Sequence, residues 1–332
     1  MKKHFISLIA LVMIVSIIAA PLASANLVLK YGHANATTYP YHLAGEAFAQ
    51  KIATQSKDLS VKLYPQGQLG GERDITEGLQ LGTVDLQGSS IGMTANFIPV
   101  LNILNLPFLF KSPEHFMNVM EGKPGKWILE EANKQGEKVG LKVLAIGGPM
   151  FRMPMNDVRP LETTADFKGL RIRTMEVPIH MAGYKALGSS PVPLPFGELY
   201  TALQTGVVDG NENGPATLAA QKFYEVQKYL STLPIFTNGG IFLMSVNTWK
   251  KLSSTQQKAV MNSVQAWYDS MNEEGLKQDN EAVQLMESKG VKVTRIKDVK
   301  PFFDACKPVY DDFFAKNPQS WAKVVSDIQK MD

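Results

Sequence analysis

The chain has 332 residues, 45% of them hydrophobic and 20% charged, with 34 Lys and Arg against 31 Asp and Glu. That length suits about two domains, and the composition is that of an ordinary water-soluble globular protein. A formal net charge of +3 is too small to make nucleic acid or a strongly anionic membrane surface the main partner.

The amino terminus stands apart from the rest. Lys2 and Lys3 precede an apolar run over 5–20, and Ala23, Ser24 and Ala25 supply small residues for cleavage before Asn26. This is the pattern of a secretory signal over 1–25. The run is shorter than the roughly 20 residues of a spanning helix, and Pro21 follows it, so a membrane anchor fits less well. Removing the segment takes away Lys2 and Lys3 and no acid, which lowers the net charge from +3 to +1. Cys306 is the only cysteine, which excludes an intrachain disulfide and suits a small buried apolar side chain.

A first strand is predicted over 27–33, then a polar and aromatic loop carrying Tyr39, and a helix over 42–54. A second strand over 61–65 leads through a glycine-rich turn over 66–71 to a helix over 72–81. That turn lacks both the Lys-Ser/Thr pair and the GxGxxG spacing of a phosphate-cradling loop. A third strand over 84–90 ends in Ser89 and Ser90, and the alternation so far predicts a mostly parallel sheet with covered faces. The apolar stretch over 97–110 is broken by Pro99, Asn102, Asn105 and Pro107, so it reads as a buried connection. Helices over 113–120 and 127–139 precede a strand over 141–147. Gly147, Gly148 and Pro149 end that strand, Arg152 follows, and a second alternation of strands and helices begins, so a crossing between two lobes is expected here.

Over 169–174 the chain reads GLRIRT, with Leu170 and Ile172 on the core side and Arg171 and Arg173 on the other. Arg173 closes the strand, and in open α/β sheets the carboxyl ends of strands border the ligand crevice. A solvated edge arginine is the alternative. A helix then ends at Leu187 and Gly188, a proline-rich segment over 191–195 is extended, and a short amphipathic helix over 196–206 puts Leu199, Ala202 and Leu203 on one side. Val207 and Val208 read as a short strand running into a polar turn, where Asn213 offers both a donor and an acceptor.

Residues 241–246 form a continuous apolar strand, as expected for burial on both faces. A capping box is expected over 254–257, and a helical pattern without proline then runs to Lys289, stopped by Gly290. At 1.5 Å per residue this rod is about 54 Å long. Gln265, Asp269 and Asn272 interrupt its heptads, so a coiled coil is not sustained. An edge strand over 291–296 and closing helices with Phe302, Phe303, Tyr310, Phe313, Phe314 and Trp321 as packing residues complete the chain.

GLRIRT over 169–174, PFGELYTALQTGVVDGNEN over 195–213 and QKFYEVQKY over 221–229 resemble the periplasmic solute-binding proteins of tripartite ATP-independent periplasmic (TRAP) transporters, the C4-dicarboxylate-binding type family. The resemblance extends more loosely over the whole mature chain. It implies a two-lobe α/β periplasmic binding protein with crossing strands and a long helix spanning both lobes. The first lobe would hold 26–149 and about 240–279, the second 150–239 and about 280–332. The resemblance also implies a small organic acid ligand and membrane permease subunits, small and large, driven by an ion gradient, with no cofactor, no metal and no membrane insertion of the mature chain.

By the same resemblance Arg173 clamps the ligand carboxylate, Arg152 adds a second contact, Asn213 fixes orientation and Phe196 forms a wall. His33 and Tyr39 border the cleft, each with a structural role as the alternative. Arg152 likewise has a surface-loop alternative. Two departures stand out. Gly214 separates Asn213 from Pro215 where many members read Glu-Asn-Pro, and Ser89 and Ser90 occupy a region where some members place an acid. Hydroxyls there suit a sugar acid, the first expectation. A C4-dicarboxylate comes second, with Arg73, His33 or Arg152 for its other end, and a phosphorylated polyol third.

Catalytic constellations are sparse. No Cys-x-x-Cys or His-Glu-x-x-His is present, and nothing near Cys306 in sequence supplies a base. Glu176 and His180, four apart, would share a helix face and are the working pair of the competing reading, an exported enzyme acting on small acids. A carboxylate binder explains more of the chain, because a bidentate guanidinium supplies charge and geometry together.

Overall fold

The computed structural model describes residues 26–331, and the signal expected over 1–25 lies outside them. Twelve strands form two sheets among the described residues: β1 (Leu27–Gly32), β2 (Leu59–Tyr64), β3 (Leu86–Ser90), β4 (Leu141–Gly147), β5 (Phe151–Asn156), β6 (Arg171–Thr174), β7 (Ser190–Pro193), β8 (Gly210–Asn213), β9 (Tyr229–Ser231), β10 (Phe236–Thr237), β11 (Gly240–Ser245) and β12 (Lys292–Thr294). The first sheet runs β2-β1-β3-β11-β4. The second runs β12-β9-β5-β8-β6-β7, with β10 beside β5.

The sheets are more mixed than the alternation of elements suggested, and the crossing strands are the reason. β1, β2 and β3 are parallel, whereas β11 arrives from the other lobe and runs against β3 and β4. β5 does the same in the second sheet, against β8 and β9. Strands thus carry the chain across twice, from β4 to β5 and from β10 to β11. At the first crossing Gly148 takes a left-handed φ of 81°, a conformation glycine adopts without strain, and its N–H donates to Asn272 Oδ1 at 2.6 Å.

Strand alternation divides the first core between two faces. Ile241 and Leu243 of β11 pack with Ile75, Leu104 and Phe116, while Phe242 and Met244 pack with Tyr31, Phe48 and Trp267. In the second lobe Phe167, Ile172, Tyr184 and Phe236 fill one side of the sheet and Met155, Leu199, Phe223 and Leu230 the other. β7 lies at the edge, where the missing N–H groups of Pro191 and Pro193 are tolerated.

The helix Ser254–Ser288, 35 residues long, ties the lobes together. Its box is Ser253 with Gln256, one residue ahead of the position read from the sequence: Ser253 Oγ accepts from Gln256 N at 3.2 Å and Gln256 Oε1 from Ser253 N at 3.0 Å. Trp267 is buried in the first core, stacked on Phe242, and Met286 is buried in the second.

Two expectations are corrected. The segment 280–332 does not all belong to the second lobe: Phe302 and Cys306 pack there, but Tyr310, Phe313 and the helix Gln319–Lys330, through Trp321, Val325 and Ile328, join the first core. An amphipathic period shows that a face is buried without showing against what. The strand placed at Val207 and Val208 is instead β8, four polar or glycine residues that are all buried. Asn211 and Asn213 satisfy one another and Gln227, with Asn213 Nδ2 donating to Asn211 Oδ1 at 2.9 Å and Asn211 Nδ2 to Gln227 Oε1 at 2.5 Å. Among the described residues no helix is long and apolar enough to cross a membrane.

Candidate functional site

Where the strand ends of both lobes face each other lies a cavity of about 550 Å³. The first lobe contributes Tyr39, Tyr41, Glu72, Arg73 and Ser90, and the second Arg152, Arg173, Glu176, Phe196 and Asn213, with Asn238 from the second crossing. The placement follows from topology. β3 ends in Ser90, β6 ends near Arg173, β8 ends in Asn213, and β5 brings in Arg152 as it leaves the crossing.

The two arginines differ in how their charge is met. Arg152 is paired with Glu212: Nε donates to Oε2, Nη2 to the Glu212 carbonyl at 2.7 Å and to Asn213 Oδ1 at 2.9 Å, and Nη1 to Asn238 Oδ1 at 2.7 Å. Burial opposes its charge, and the Glu212 carboxylate more than offsets that, holding Arg152 above the usual range. Burial likewise pushes Glu212 up, but the Arg152 guanidinium, first among the groups acting against that, brings it down to about 2. Arg173 has no carboxylate of its own. Its Nε and Nη2 donate to the Leu194 carbonyl at 2.9 and 2.6 Å, and Nη1 has no partner although the side chain is 2% exposed. Burial pulls its pKa down to about 10, with Glu212 compensating only in part. A guanidinium of a cavity-lining residue, held by one neutral carbonyl and with an unpartnered N–H, is a site for a carboxylate.

The first-lobe wall carries an acid that sequence reasoning missed. Glu72, first residue of the helix Glu72–Leu81, accepts from Ser90 N at 2.5 Å, Ser89 Oγ at 3.2 Å and Ser90 Oγ at 3.2 Å. Ser89 and Ser90 therefore hold a carboxylate in place instead of replacing one. Asn238 was also missed; it donates to Tyr39 Oη at 3.1 Å and is followed by Gly239 and Gly240, the same strand-end signature that marked Gly147 and Gly148. Gly214 makes room for it: a Cβ there would lie 2.2 Å from Asn238 Nδ2.

Tyr39, Ser90, Arg152, Arg173, Glu176, Phe196 and Asn213 thus line the cavity. His33 does not. It is buried behind the loop, its Nε2 3.0 Å from His42 Nδ1, and burial followed by the His42 charge lowers its pKa to about 3. Ala34 and Asn35 reach the cavity in its stead. The pairing of Glu176 with His180 is also corrected. The helix Pro178–Ala186 starts after Glu176, so the two do not share its face, and His180 turns to Asn105 and Glu212. Cys306 is buried, with its thiol pushed up to about 12 by desolvation, which suits a packing residue and no nucleophile. Among the described residues no group of acids, histidines and cysteine could hold a metal ion.

Comparison with known proteins agrees with this architecture. The family model described as bacterial extracellular solute-binding protein, family 7, matches residues 31–317. The 2,3-diketo-L-gulonate-binding periplasmic protein YiaO of Escherichia coli K12 is 32% identical over 305 residues, covering 91% of this chain and 92% of that one. The sialic acid-binding periplasmic protein SiaP of Vibrio cholerae is 32% identical over 302 residues, covering 90% and 92%. A crystal structure of a TRAP periplasmic solute-binding protein from Polaromonas sp. JS666 bound to D-erythronate superposes with a TM-score of 0.86 at 32% identity, over 92% of this chain and 99% of that one. With two crossed lobes, a long tying helix and a family match over residues 31–317, this protein belongs to family 7 of the bacterial extracellular solute-binding proteins, the solute-capturing subunits of TRAP transporters.

Proposed function

We propose that this subunit captures a small hydroxylated monocarboxylate, a sugar acid, outside the cytoplasm and delivers it to ion-coupled membrane permease subunits without altering it. The observation that carries the reading is the buried guanidinium of Arg173, a residue that lines the cavity and has an unpartnered Nη1 and no carboxylate of its own. Binding a carboxylate there costs desolvation that only a charged, well-aimed partner offsets. Arg152 gives Nε, Nη1 and Nη2 to protein acceptors, so its part is to hold Asn213 and Asn238 at the wall. Glu72 supports a polyol over a dicarboxylate, because a carboxylate in the first-lobe wall accepts from hydroxyl groups and repels a second negative end. The three relatives carry 2,3-diketo-L-gulonate, sialic acid and D-erythronate, all hydroxylated acids.

Mass spectrometry of small molecules released from the purified mature protein, with a thermal-shift panel of these acids and succinate, tests the reading. An acid at 100 times its Kd stabilises by about 2.7 kcal/mol. Arg173→Ala is expected to abolish the shift while the variant stays folded; an undiminished shift in that variant refutes the assignment. Recovery of the solute chemically unchanged after hours with the protein separates a carrier from an enzyme.

A further inference from the structure

His180, which lies behind the cavity wall, is held in one tautomer by the first lobe. Asn105 Nδ2 donates to the Leu101 carbonyl at 3.0 Å, which turns Oδ1 toward His180 Nε2 at 3.2 Å. Oδ1 only accepts, so Nε2 carries the hydrogen. In the neutral ring Nδ1 is then a lone pair, and 3.6 Å away lies Glu212 Oε1, also a lone pair. Both atoms are buried and neither has a hydrogen-bond partner. Phe236, stacked on the ring at 4.1 Å and 14°, covers one face. Two facing lone pairs in a low-dielectric pocket repel, whereas one proton between them makes a charge-assisted contact.

We propose that His180 is a positioning residue that takes up a proton at Nδ1, bridging to Glu212, when the solute carboxylate docks on Arg173. This rests on the solute reading of the cavity. Before docking, Arg152 and Arg173 act on His180 alongside Glu212, while Glu72 and Glu176 line the cavity and act on Arg173. Burial first, then those arginines, keep the ring below the usual histidine range against the pull of Glu212. The incoming carboxylate cancels one positive charge and tips the ring toward the cation. The groups facing His180 are Glu212 of β8, Arg152 of β5 and Arg173 of β6; the first lobe presents Asn105 and Gly92, which carry no charge. Tyr184 on its own helix and Cys306, which approaches the Gly183 carbonyl, are neutral at working pH, both pushed up by burial.

The sign follows from linkage. The complex holds more protons than the free protein, so affinity rises as pH falls between the bound and free values of the ring, and is flat above that window. The solute's own carboxyl titrates near 4, below it.

Calorimetry of D-erythronate binding in phosphate and in Tris at pH 6.5 and 7.5 reads the uptake. The wild type is expected to absorb between about a third and one proton per solute, and to bind several-fold more tightly at pH 6 than at pH 8. Residual binding by His180→Gln should lose the pH dependence. Asn105→Asp, which leaves the ring in place and charges it in advance, should cut the uptake. Nitrogen-15 spectra of the ligand-free protein should show a neutral ring protonated at Nε2; a cation, or a hydrogen on Nδ1, overturns the proposal without reference to any solute. Binding without uptake, or uptake persisting in His180→Gln, overturns it too. Should no acid in the panel bind, the solute reading itself falls and the linkage with it, an outcome distinct from binding without uptake.

Discussion

Near the crossing strands a buried carboxylate and a half-buried one are pushed in opposite directions. Glu212 is held at about 2, chiefly by the Arg152 guanidinium, against its burial, whereas Asp279 rises to about 7 because burial dominates and it meets the N–H groups of Ala216, at 2.9 Å, and Phe151. A carboxyl with a depressed folded pKa stabilises above its unfolded value of about 4.3 and loses that contribution as pH falls toward 2. A carboxyl with a raised one does the reverse: its contribution is complete below about 3.9 and is lost as pH rises toward 7. Denaturant titrations of wild type and Asp279→Asn should therefore diverge between pH 4 and 7, with the wild type gaining relative to the variant on acidification. Parallel curves across that range would mean the carboxyl is ordinary. Arg173 belongs to the same scale. Removing a buried guanidinium that has no carboxylate partner leaves no acid orphaned, so Arg173→Met is expected to keep or raise the Tm of the ligand-free protein while weakening solute binding by about 2 kcal/mol or more, at least 30-fold. A Tm falling by more than a few degrees would show that the side chain is structural.

β8 shows how the site depends on an element that breaks the usual pattern. A strand of Gly210, Asn211, Glu212 and Asn213 is stable in the interior because side chains outside its register supply polar matches: Arg152 of β5 to Glu212 and Asn213, and Gln227, ahead of β9, to Asn211. The close fit continues into Gly214. In Gly214→Ala the new methyl would displace the Asn238 amide from Arg152 and Tyr39, with an expected cost of about 1–3 kcal/mol in stability and a drop in affinity. Asn238→Ala in the same chain should remove the clash, so the double variant should be no less stable than Gly214→Ala alone; additive losses would place the strain elsewhere. This is also where reading from sequence stopped. Hydrophobic period found β1, β4 and β11 because their burial is written largely in Leu, Ile, Val and Phe, and the long helix was legible from its cap, its freedom from proline and the stop at Gly290. The same period put a strand on Val207 and Val208, since nothing local marks Asn211 or Glu212 as interior; their partners come from elsewhere in the chain. Arg173 was legible from its place at a strand end. Glu72 was not, because the serines that aim it lie 17 and 18 residues away. The Leu194 carbonyl was hidden as well, since a backbone acceptor leaves no mark in the side-chain pattern.

At the scale of the whole molecule, the cavity exists only while the lobes face one another, and few contacts bridge its mouth. Asn96 of the first lobe donates from Nδ2 to the Glu176 carbonyl at 3.0 Å, and Ser90 Oγ, whose hydrogen goes to Glu72, rests 3.7 Å from Met175 Sδ. Neither belongs to a lobe's own core. In a hinged binder such contacts form as the lobes shut, so they weigh on the open-to-closed equilibrium and on affinity without holding either lobe folded. Asn96 is exposed and its amide is one neutral donor, worth about 0.5–1.5 kcal/mol net. Asn96→Ala should therefore raise the Kd for the captured acid by about two- to tenfold, through faster release, and leave the Tm of the ligand-free protein within a degree or so of wild type. The same variant should need more solute to reach the compact form in small-angle scattering, and its radius of gyration at saturation should match the wild type. If Tm falls in step with affinity, the contact stabilises the fold and not the closed state. If neither moves, closure is set by the solute's grip on Arg173 and the first-lobe wall together, and the mouth merely follows.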